Sequence, residues 1–223
     1  MLYLVPTPIG NLDDITLRAL DTLKAADYVL AEDTRTTGKL FKHHNIQQKL
    51  RAFHAHNEHK TTSAIIGDLL AGMNVALVSD AGTPGLSDPG FLLVRACHEA
   101  EVQVTCLPGA TALIPAVVLS GFPSDRFSFE GFLPHKKGRQ TRWQQLSQLE
   151  STFACYESPH RLLKFLREAN EYLQPERQIA VVREISKVYE SVHRGNASEL
   201  IAHFDSHPEN TKGEIVIVVC RVY

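Results

Sequence analysis

The sequence predicts an α/β protein in two parts, with a parallel sheet in the N-terminal domain and a mixed sheet in the C-terminal domain. Three observations carry this. Short unbroken apolar runs at Leu2–Val5, Tyr28–Ala31, Val75–Val78 and Val102–Leu107 have the length and composition of strands covered on both faces. Helix-period segments separate them, the alternation of a parallel βα sheet. Near Leu119-Ser-Gly121-Phe-Pro123 the spacing changes and strands follow one another more closely, so the expected domains are 1–118 and 119–223.

In chain order, Leu2–Val5 is the first strand and empties into Pro6-Thr-Pro-Ile-Gly10-Asn-Leu-Asp-Asp14. Asp13 or Asp14 can cap a helix over Ile15–Ala26, where Ala19, Leu20, Leu23 and Ala26 share a face. Tyr28–Ala31 is the second strand and ends in the polar cluster Glu32-Asp33-Thr34-Arg35. A helix is expected over Gly38–His44, a third strand over Arg51–His56 and a helix over Thr61–Ala71. On that strand His54 and His56 would share a face, so a metal site has to be weighed. No second ligand cluster stands at metal spacing elsewhere, and the reading adopted is a polar strand end without a metal.

Val75–Val78 is the central strand, and Ser79-Asp80-Ala-Gly82-Thr83-Pro-Gly85-Leu-Ser87-Asp88-Pro-Gly90 is the loop beyond it. Its glycines permit close backbone approach to a ligand and its prolines stiffen it. Ser87 or Asp88 is expected to cap the next helix, Gly90–Ala100, whereas Asp80 precedes the turn and is free to accept from hydroxyl or amino donors. The fifth strand, Val102–Leu107, ends in Pro108-Gly-Ala-Thr111-Ala112. Several strand ends thus offer Pro/Gly turns and small polar groups to the crevice beyond a parallel sheet, where ligands of such folds sit.

The second half is expected to hold strands at Phe127–Leu133, Thr152–Glu157, Gln178–Ile185, Val188–Arg194 and Glu214–Val222, with helices at Arg139–Leu149, Pro159–Tyr172 and Ala197–Phe204. His135-Lys136-Lys137-Gly-Arg139-Gln-Thr-Arg142 is basic without an acid, and Arg161, Lys164 and Arg167 follow at helical spacing. The chain as a whole carries a net charge of -2, so any polyanion must meet a local patch of this kind.

Composition excludes several classes. With 43% hydrophobic and 22% charged residues the chain is neither disordered nor collagenous. No apolar run approaches the roughly 18 residues that span a bilayer, and Met-Leu-Tyr-Leu-Val-Pro lacks the basic start of a signal peptide, so a cytoplasmic protein is expected. Cys97, Cys106, Cys155 and Cys220 are far apart, with no Cys-x-x-Cys, which argues against structural zinc or a disulfide framework. A phosphate-binding Gly-x-x-x-x-Gly-Lys loop, a Gly-x-Ser-x-Gly elbow and a dinucleotide Gly-x-Gly-x-x-Gly are all absent.

A linked set of motifs runs through the chain. Pro6-Thr-Pro-Ile-Gly-Asn-Leu, Ala31-Glu-Asp-Thr-Arg35, His56-Asn-Glu58, Val78-Ser-Asp-Ala-Gly-Thr-Pro-Gly-Leu-Ser-Asp-Pro-Gly90, Pro108-Gly109, Ser120-Gly-Phe-Pro, Tyr156-Glu-Ser-Pro-His-Arg161, Arg183-Glu184 with Lys187, and Lys212-Gly-Glu214 occur in this order. Together they resemble the ribosomal RNA small subunit methyltransferase I family, a branch of the tetrapyrrole methylase superfamily. The resemblance spans essentially the whole chain, in a short form without the C-terminal segment of longer members. It implies two α/β domains of tetrapyrrole methylase type with S-adenosyl-L-methionine in the cleft between them, a cytoplasmic homodimer, and 2'-O-methylation of a cytidine in the decoding region of 16S rRNA, naked or in the assembled small subunit.

Carried over position by position, the resemblance implies cofactor contacts from Pro8, Asp80, Ala81, Gly82, Thr83, Thr111 and Ala112, and from Tyr156, Glu157, Val182 and Arg183. A ribose 2'-hydroxyl is a weak acid, so a general base is sought among Glu32, Asp33, Glu157 and Glu184, with Asp33 and Glu184 preferred. Each of these could instead cap a helix or pair with Arg35, Arg161 or Arg183. Arg35, Lys136, Lys137, Arg139, Arg161 and Lys187 are the candidate phosphate contacts. A tetrapyrrole methyltransferase is the nearest alternative, sharing fold and cofactor, and a non-catalytic rRNA-binding assembly factor is the second.

Overall fold

The computed structural model describes residues 1–222, which divide into two compact units, the first Met1–Thr111 and the second from Ala112 onward. The first unit alternates strand and helix as β1 (Leu2–Leu4), α1 (Leu17–Ala25), β2 (Tyr28–Ala31), α2 (Thr34–His43), β3 (Leu50–Ala52), α3 (Glu58–Leu70), β4 (Val75–Val78), α4 (Phe91–Glu99) and β5 (Val104–Cys106). All five strands are parallel, in the order β3-β2-β4-β1-β5. β4 is central, and all four of its residues are at most 1% exposed, as its unbroken Val-Ala-Leu-Val run requires.

Two hydrophobic layers follow from the alternation of side chains along the strands. Val5, Val29, Ala31, Ala76 and Val78 pack with Ala19 and Leu23 of α1 and Phe41 of α2. Leu2, Leu4, Leu30, Val75 and Leu77 pack with Ile65 and Leu69 of α3 and Leu93 and Cys97 of α4. The helices after β1 and β2 therefore cover one face, and the helix after β4, which lies between those strands, covers the other. The helices that follow β4 and its two neighbours thus go to opposite faces, the arrangement in which open α/β sheets place ligands beyond the carboxyl ends of the strands.

Several boundaries differ from those expected, each for a local reason. α1 starts at Leu17 with Thr16 as its cap, accepting from the Ala19 amide at 3.1 Å. Asp13 and Asp14 instead lie in a turn in which both amides donate to Asn11. α2 starts four residues early because Asp33 caps it. β3 stops at Ala52 because Asn57 bridges the chain ends, accepting from the His54 amide at 2.8 Å and donating to the Ala52 carbonyl at 3.0 Å. His54 and His56 thus lie beyond the strand, in the turn that leads into α3.

The second unit contains α5 (Leu113–Ser120), β6 (Phe127–Phe132), α6 (Arg139–Ser147), β7 (Thr152–Glu157), α7 (Leu162–Tyr172, preceded by a 3-10 turn at Pro159–Arg161), β8 (Ile179–Arg183), β9 (Ser191–Gly195), α8 (Ala197–Ser206) and β10 (Ile215–Val219). Its sheet runs β6-β7-β10-β8-β9, with β6 and β7 parallel and the other pairs antiparallel. Phe153, Cys155, Ile179, Val181, Ile215, Ile217 and Val219 form the main core with Trp143, Phe165, Leu166, Leu200 and Phe204 from α6, α7 and α8. The intervening residues Ala180, Val182, Val216 and Val218 are buried on the opposite face, and α5 packs on these strands.

α5 has no counterpart among the elements expected from sequence, and its packing on β8, β9 and β10 places it in the second unit, ahead of the boundary expected at 118/119. It closes on Gly121 in the left-handed region at φ 63°, the conformation in which glycine ends a helix without steric cost. Arg177 ties the far end of the sheet: its Nε donates to the Cys220 carbonyl at 2.7 Å and its Nη2 to the Leu149 carbonyl at 2.9 Å.

Candidate functional site

In the first unit three loops are locked together at the carboxyl ends of β1, β4 and β5. Thr7 and Gly82 exchange two backbone hydrogen bonds of 2.9 Å, so the loop after β1 pairs with the loop after β4. Thr7 Oγ1 donates to the Ser79 carbonyl at 3.1 Å, and Thr83 Oγ1 donates to the Ala110 carbonyl at 3.1 Å, which adds the loop after β5. Gly82 adopts φ +84°, and a Cβ there would stand 3.6 Å from Ile9 Cγ2 and 3.9 Å from the Ala110 carbonyl oxygen. Gly109 lies against Pro6 so closely that a Cβ would come within 2.7 Å of the proline Cβ. The predicted cofactor residues Pro8, Asp80, Ala81, Gly82, Thr83 and Thr111 all belong to these loops, with Pro8 and Gly82 buried and Asp80 and Ala81 exposed.

Acidic groups gather at the same edge. Asp80 Oδ1 accepts from the Asp33 amide at 3.0 Å, which joins the loop after β4 to the start of α2. Burial, and then the charge of Asp80, raises the Glu32 carboxyl above its ordinary range. Burial and the Glu32 charge raise Asp88 to about 6, against a smaller opposing effect of the Ser79 hydroxyl. Asp88 was expected to cap α4. It does not: Gly90 holds the cap position, and Glu58, 7% exposed, accepts from the Gly90 and Leu92 amides at 3.1 Å each. A carboxylate reaching across from α3 thus satisfies the α4 N-terminus, leaving Asp88 to face Glu32 and Asp80.

Asp33 behaves differently. Its side chain accepts from the Arg35 amide at 2.8 Å and forms an ion pair with the Arg35 guanidinium at 2.6 Å. The Arg35 hydrogen bonds hold its carboxyl down to about 2, which makes it a weak proton acceptor. Arg35 is itself 88% exposed, so an incoming phosphate can compete for it. His54 and His56 have ring centroids 5.9 Å apart, and among the described residues no three His, Cys, Asp or Glu side chains come together as metal ligands.

In the second unit, Ala112 immediately precedes α5, and Tyr156 lies on β7 between Phe129 and Phe132, at ring distances of 4.9 and 5.6 Å. Glu157 has no exposed side chain. It pairs with Arg161 at 2.7 Å and accepts from the Ser158 amide at 2.7 Å. Glu157 Oε2 and Arg161 Nε and Nη1 are buried without a hydrogen-bond partner among the described residues. Arg139, expected at a phosphate, is 5% exposed; its guanidinium pairs with Glu168 at 2.6 Å, and its Nη1 donates to the Pro134 carbonyl at 3.0 Å. Trp143 Nε1 donates to the same Glu168 carboxylate at 2.9 Å.

Val182 is fully buried in β8, between β9 and β10. Arg183 is turned inward, its Nη2 donating to the Lys212 carbonyl at 2.7 Å and its Nη1 to Ser191 Oγ at 2.9 Å. Burial alone would raise the Glu184 carboxyl, but the Glu214 amide and the Lys187 ammonium outweigh it and hold Glu184 below its ordinary range. Lys187 sits 2.9 Å from Glu184 and 3.2 Å from Glu214. Among the candidate phosphate contacts, Lys136 and Lys137 are the pair left exposed without an ion-pair partner among the described residues.

The sequence model of the family Tetrapyrrole (Corrin/Porphyrin) Methylases matches residues 1–201. The Ribosomal RNA small subunit methyltransferase I of Synechocystis sp. is 51% identical over 221 residues, 98% of this chain and 78% of that protein. The Vibrio cholerae protein of the same name is 47% identical over 98% of this chain and 76% of its own length. The Thermotoga maritima one is 43% identical over 98% and 97%. Among solved structures, a uroporphyrin-III-C-methyltransferase from Thermus thermophilus superposes with a TM-score of 0.68 at 20% identity, over 98% of this chain and 93% of that one. The methyltransferase CobJ gives 0.72 at 18%, over 99% and 94%. At such identities the two structures speak for the fold alone.

Proposed function

From a chain that belongs to the ribosomal RNA small subunit methyltransferase I family, within the tetrapyrrole methylases, we propose an S-adenosyl-L-methionine-dependent 2'-O-methyltransferase that acts on a cytidine of 16S rRNA in the decoding region. The observation that carries this reading is the rigid three-loop edge of the first unit, with Asp80, Gly82 and Thr83 at its centre, in a chain 51% identical to a relative named for ribosomal RNA methylation.

The residues present suit the cofactor. Glu32, Asp80 and Asp88 concentrate acceptors and negative charge at one strand edge, and Glu32 and Asp88 are pushed toward the protonated form by burial first and then by a neighbouring carboxylate, Asp80 for Glu32 and Glu32 for Asp88. A ligand with an ammonium group, a sulfonium centre and ribose hydroxyl donors matches that set. When bound, S-adenosyl-L-methionine supplies an electrophilic methyl group. Asp80 would accept from its donors, and the backbone at Ala81, Gly82 and Thr83 would line it, with Gly82 leaving the room a Cβ would fill. Pro8 and Thr111 complete the first-unit contacts, and Ala112, Tyr156, Glu157, Val182 and Arg183 are the second-unit positions to which the resemblance points. Of those, Glu157 and Arg183 act through the loops they brace.

Holding a 2'-hydroxyl about 3 Å from the methyl carbon and in line with its bond supplies much of the acceleration. A base whose pKa lies near the working pH takes the proton best. Asp33 and Glu184, preferred from sequence, are both held below their ordinary range, Asp33 by Arg35 and Glu184 by the Glu214 amide and Lys187, so their role is to fix Arg35 and Lys187. Asp88, near 6, is the better matched carboxylate. Arg35, Lys136 and Lys137 would meet phosphates, making subunit binding salt-sensitive. The protein would work in the cytoplasm as a homodimer on 16S rRNA, naked or in the assembled small subunit. No helix among the described residues is long and apolar enough to cross a membrane.

The test is transfer of labelled methyl from S-adenosyl-L-methionine to small ribosomal subunits from cells lacking this protein, followed by mapping. The expected result is label on a decoding-region cytidine 2'-oxygen, abolished by Asp80→Ala. Label on a tetrapyrrole acceptor instead, or subunit binding indifferent to the cofactor and to Asp80→Ala, would overturn it.

A further inference from the structure

Phe132 ends β6, the edge strand of the second-unit sheet, and is 52% exposed. Its direction is set by a bulge. Phe129 pairs with Ala154 and Phe132 with Tyr156, so three steps on β6 match two on β7, and the extra residue is taken up around Gly131 at φ 58°. Without the bulge Phe132 would point to the opposite side from Phe129; with it, Phe129, Tyr156 and Phe132 share one face. The next residue, Leu133, is 1% exposed, so the chain turns inward directly after the ring.

The surroundings of the ring are cationic and held in place. The Arg161 guanidinium carbon lies 6.0 Å from the Phe132 ring centroid and is fixed by Glu157. His135, Lys136 and Lys137 follow within five residues, all exposed. The base of this loop is pinned by the bond from Arg139 to the Pro134 carbonyl, with Arg139 anchored on Glu168. A flat, exposed ring thus stands beside the ion-paired Arg161 guanidinium, and the exposed Lys136 and Lys137 follow it closely in the chain.

We propose that Phe132 is a stacking platform for an unpaired base of the RNA substrate, with Lys136 and Lys137 meeting the neighbouring phosphates. The inference rests on the rRNA reading above and names how that substrate is gripped. Proteins read single-stranded RNA by stacking splayed bases on aromatic rings along a sheet while cations follow the backbone. A second copy of the chain is the poorer occupant, because a two-fold contact here would gather like charges from both lysine pairs.

The experiment compares the full-length protein with Phe132→Ala, Phe132→Leu and Phe132→Trp. It measures affinity for unmethylated small ribosomal subunits at fixed salt, affinity for S-adenosyl-L-methionine by calorimetry, and molecular mass in solution. Phe132→Ala and Phe132→Leu are expected to weaken subunit binding by about 10-fold or more, and Phe132→Trp to restore it, with cofactor affinity and mass unchanged. Leucine fills the volume without a π face, so equal binding by Phe132→Leu and wild type overturns stacking. A loss confined to cofactor affinity would assign the ring to the cofactor's adenine, and a loss of dimer mass would assign it to a second copy; either overturns the proposal. Wild type that binds and methylates subunits alongside an unaffected Phe132→Ala overturns the platform alone, whereas wild type with no affinity for subunits overturns the rRNA reading together with it.

Discussion

Replacing Glu58 by alanine tests the central packing device of the first unit. Glu58 Oε1 accepts from the Gly90 and Leu92 amides, each at 3.1 Å, at the start of α4. Hydrogen bonds to a charged acceptor contribute about 1.5–3 kcal/mol, and a carboxylate at a partly buried helix N-terminus contributes up to about 2 kcal/mol. Both bonds end on one oxygen and overlap with the dipole effect, so the terms do not add. Glu58→Ala is expected to cost about 3–4 kcal/mol, and Glu58→Gln, which keeps an acceptor but no charge, about 1–2 kcal/mol. The assay is amide hydrogen exchange by mass spectrometry across Phe91–Glu99. Protection should fall about 100-fold or more in Glu58→Ala and about 10-fold in Glu58→Gln. The single tryptophan, Trp143, is buried in the second unit, and its fluorescence transition in urea should stay where it is in wild type. Protection in Glu58→Ala within threefold of wild type would refute the assignment of Glu58 as the cap of α4.

Two further predictions concern the edge of the first-unit sheet. Asp88 is held near 6 against an ordinary 3.8. A raised folded value means that stability is fully present below pH ~4 and is lost as pH rises through about 6. The shift corresponds to at most about 3 kcal/mol, and with the carboxyl partly open to solvent to about 1–2 kcal/mol. Asp88→Asn should therefore stabilise the first unit by that amount at pH 8 and not at pH 4 in urea titrations; a pH-independent difference would count against the burial of Asp88. Gly109→Ala would drive a methyl to 2.7 Å from Pro6 and force apart the loops after β1 and β5. It should cost about 1–3 kcal/mol and weaken S-adenosyl-L-methionine binding more than tenfold by calorimetry, and unchanged affinity would show that the loop junction does not shape the cofactor site.

The first-unit sheet was readable because strand ends announce themselves. The Val75–Val78 run, bounded by Asp80 and three glycines, marked a buried parallel strand opening into a Pro/Gly-rich loop, and β4 is the central strand. The roles of the charged residues were less readable. Arg139 and Arg161 sit in a basic stretch that reads as surface, yet Glu168 and Glu157 draw both of them inward. Glu58 lies 32 residues from Gly90, and Asp88, the residue with the local capping signal, was displaced from that task by the distant carboxylate. α5 escaped notice because an apolar octet containing Pro115 resembles a strand or a turn as readily as a helix until the sheet beneath it is in place.

The sequence by itself determined the class of the fold and the order of its strands and of every helix but α5, since apolar periodicity and turn chemistry are short-range properties that survive without a partner, and its linked motifs carried the resemblance to the family. Tertiary structure alone decided which carboxylate caps α4, which cations remain free for phosphate, and where Phe132 points. Those outcomes depend on which distant group reaches a buried donor or charge first. A buried ion must find its counter-ion and a helix end its acceptor from whatever the packed elements bring near, and no local pattern records that choice.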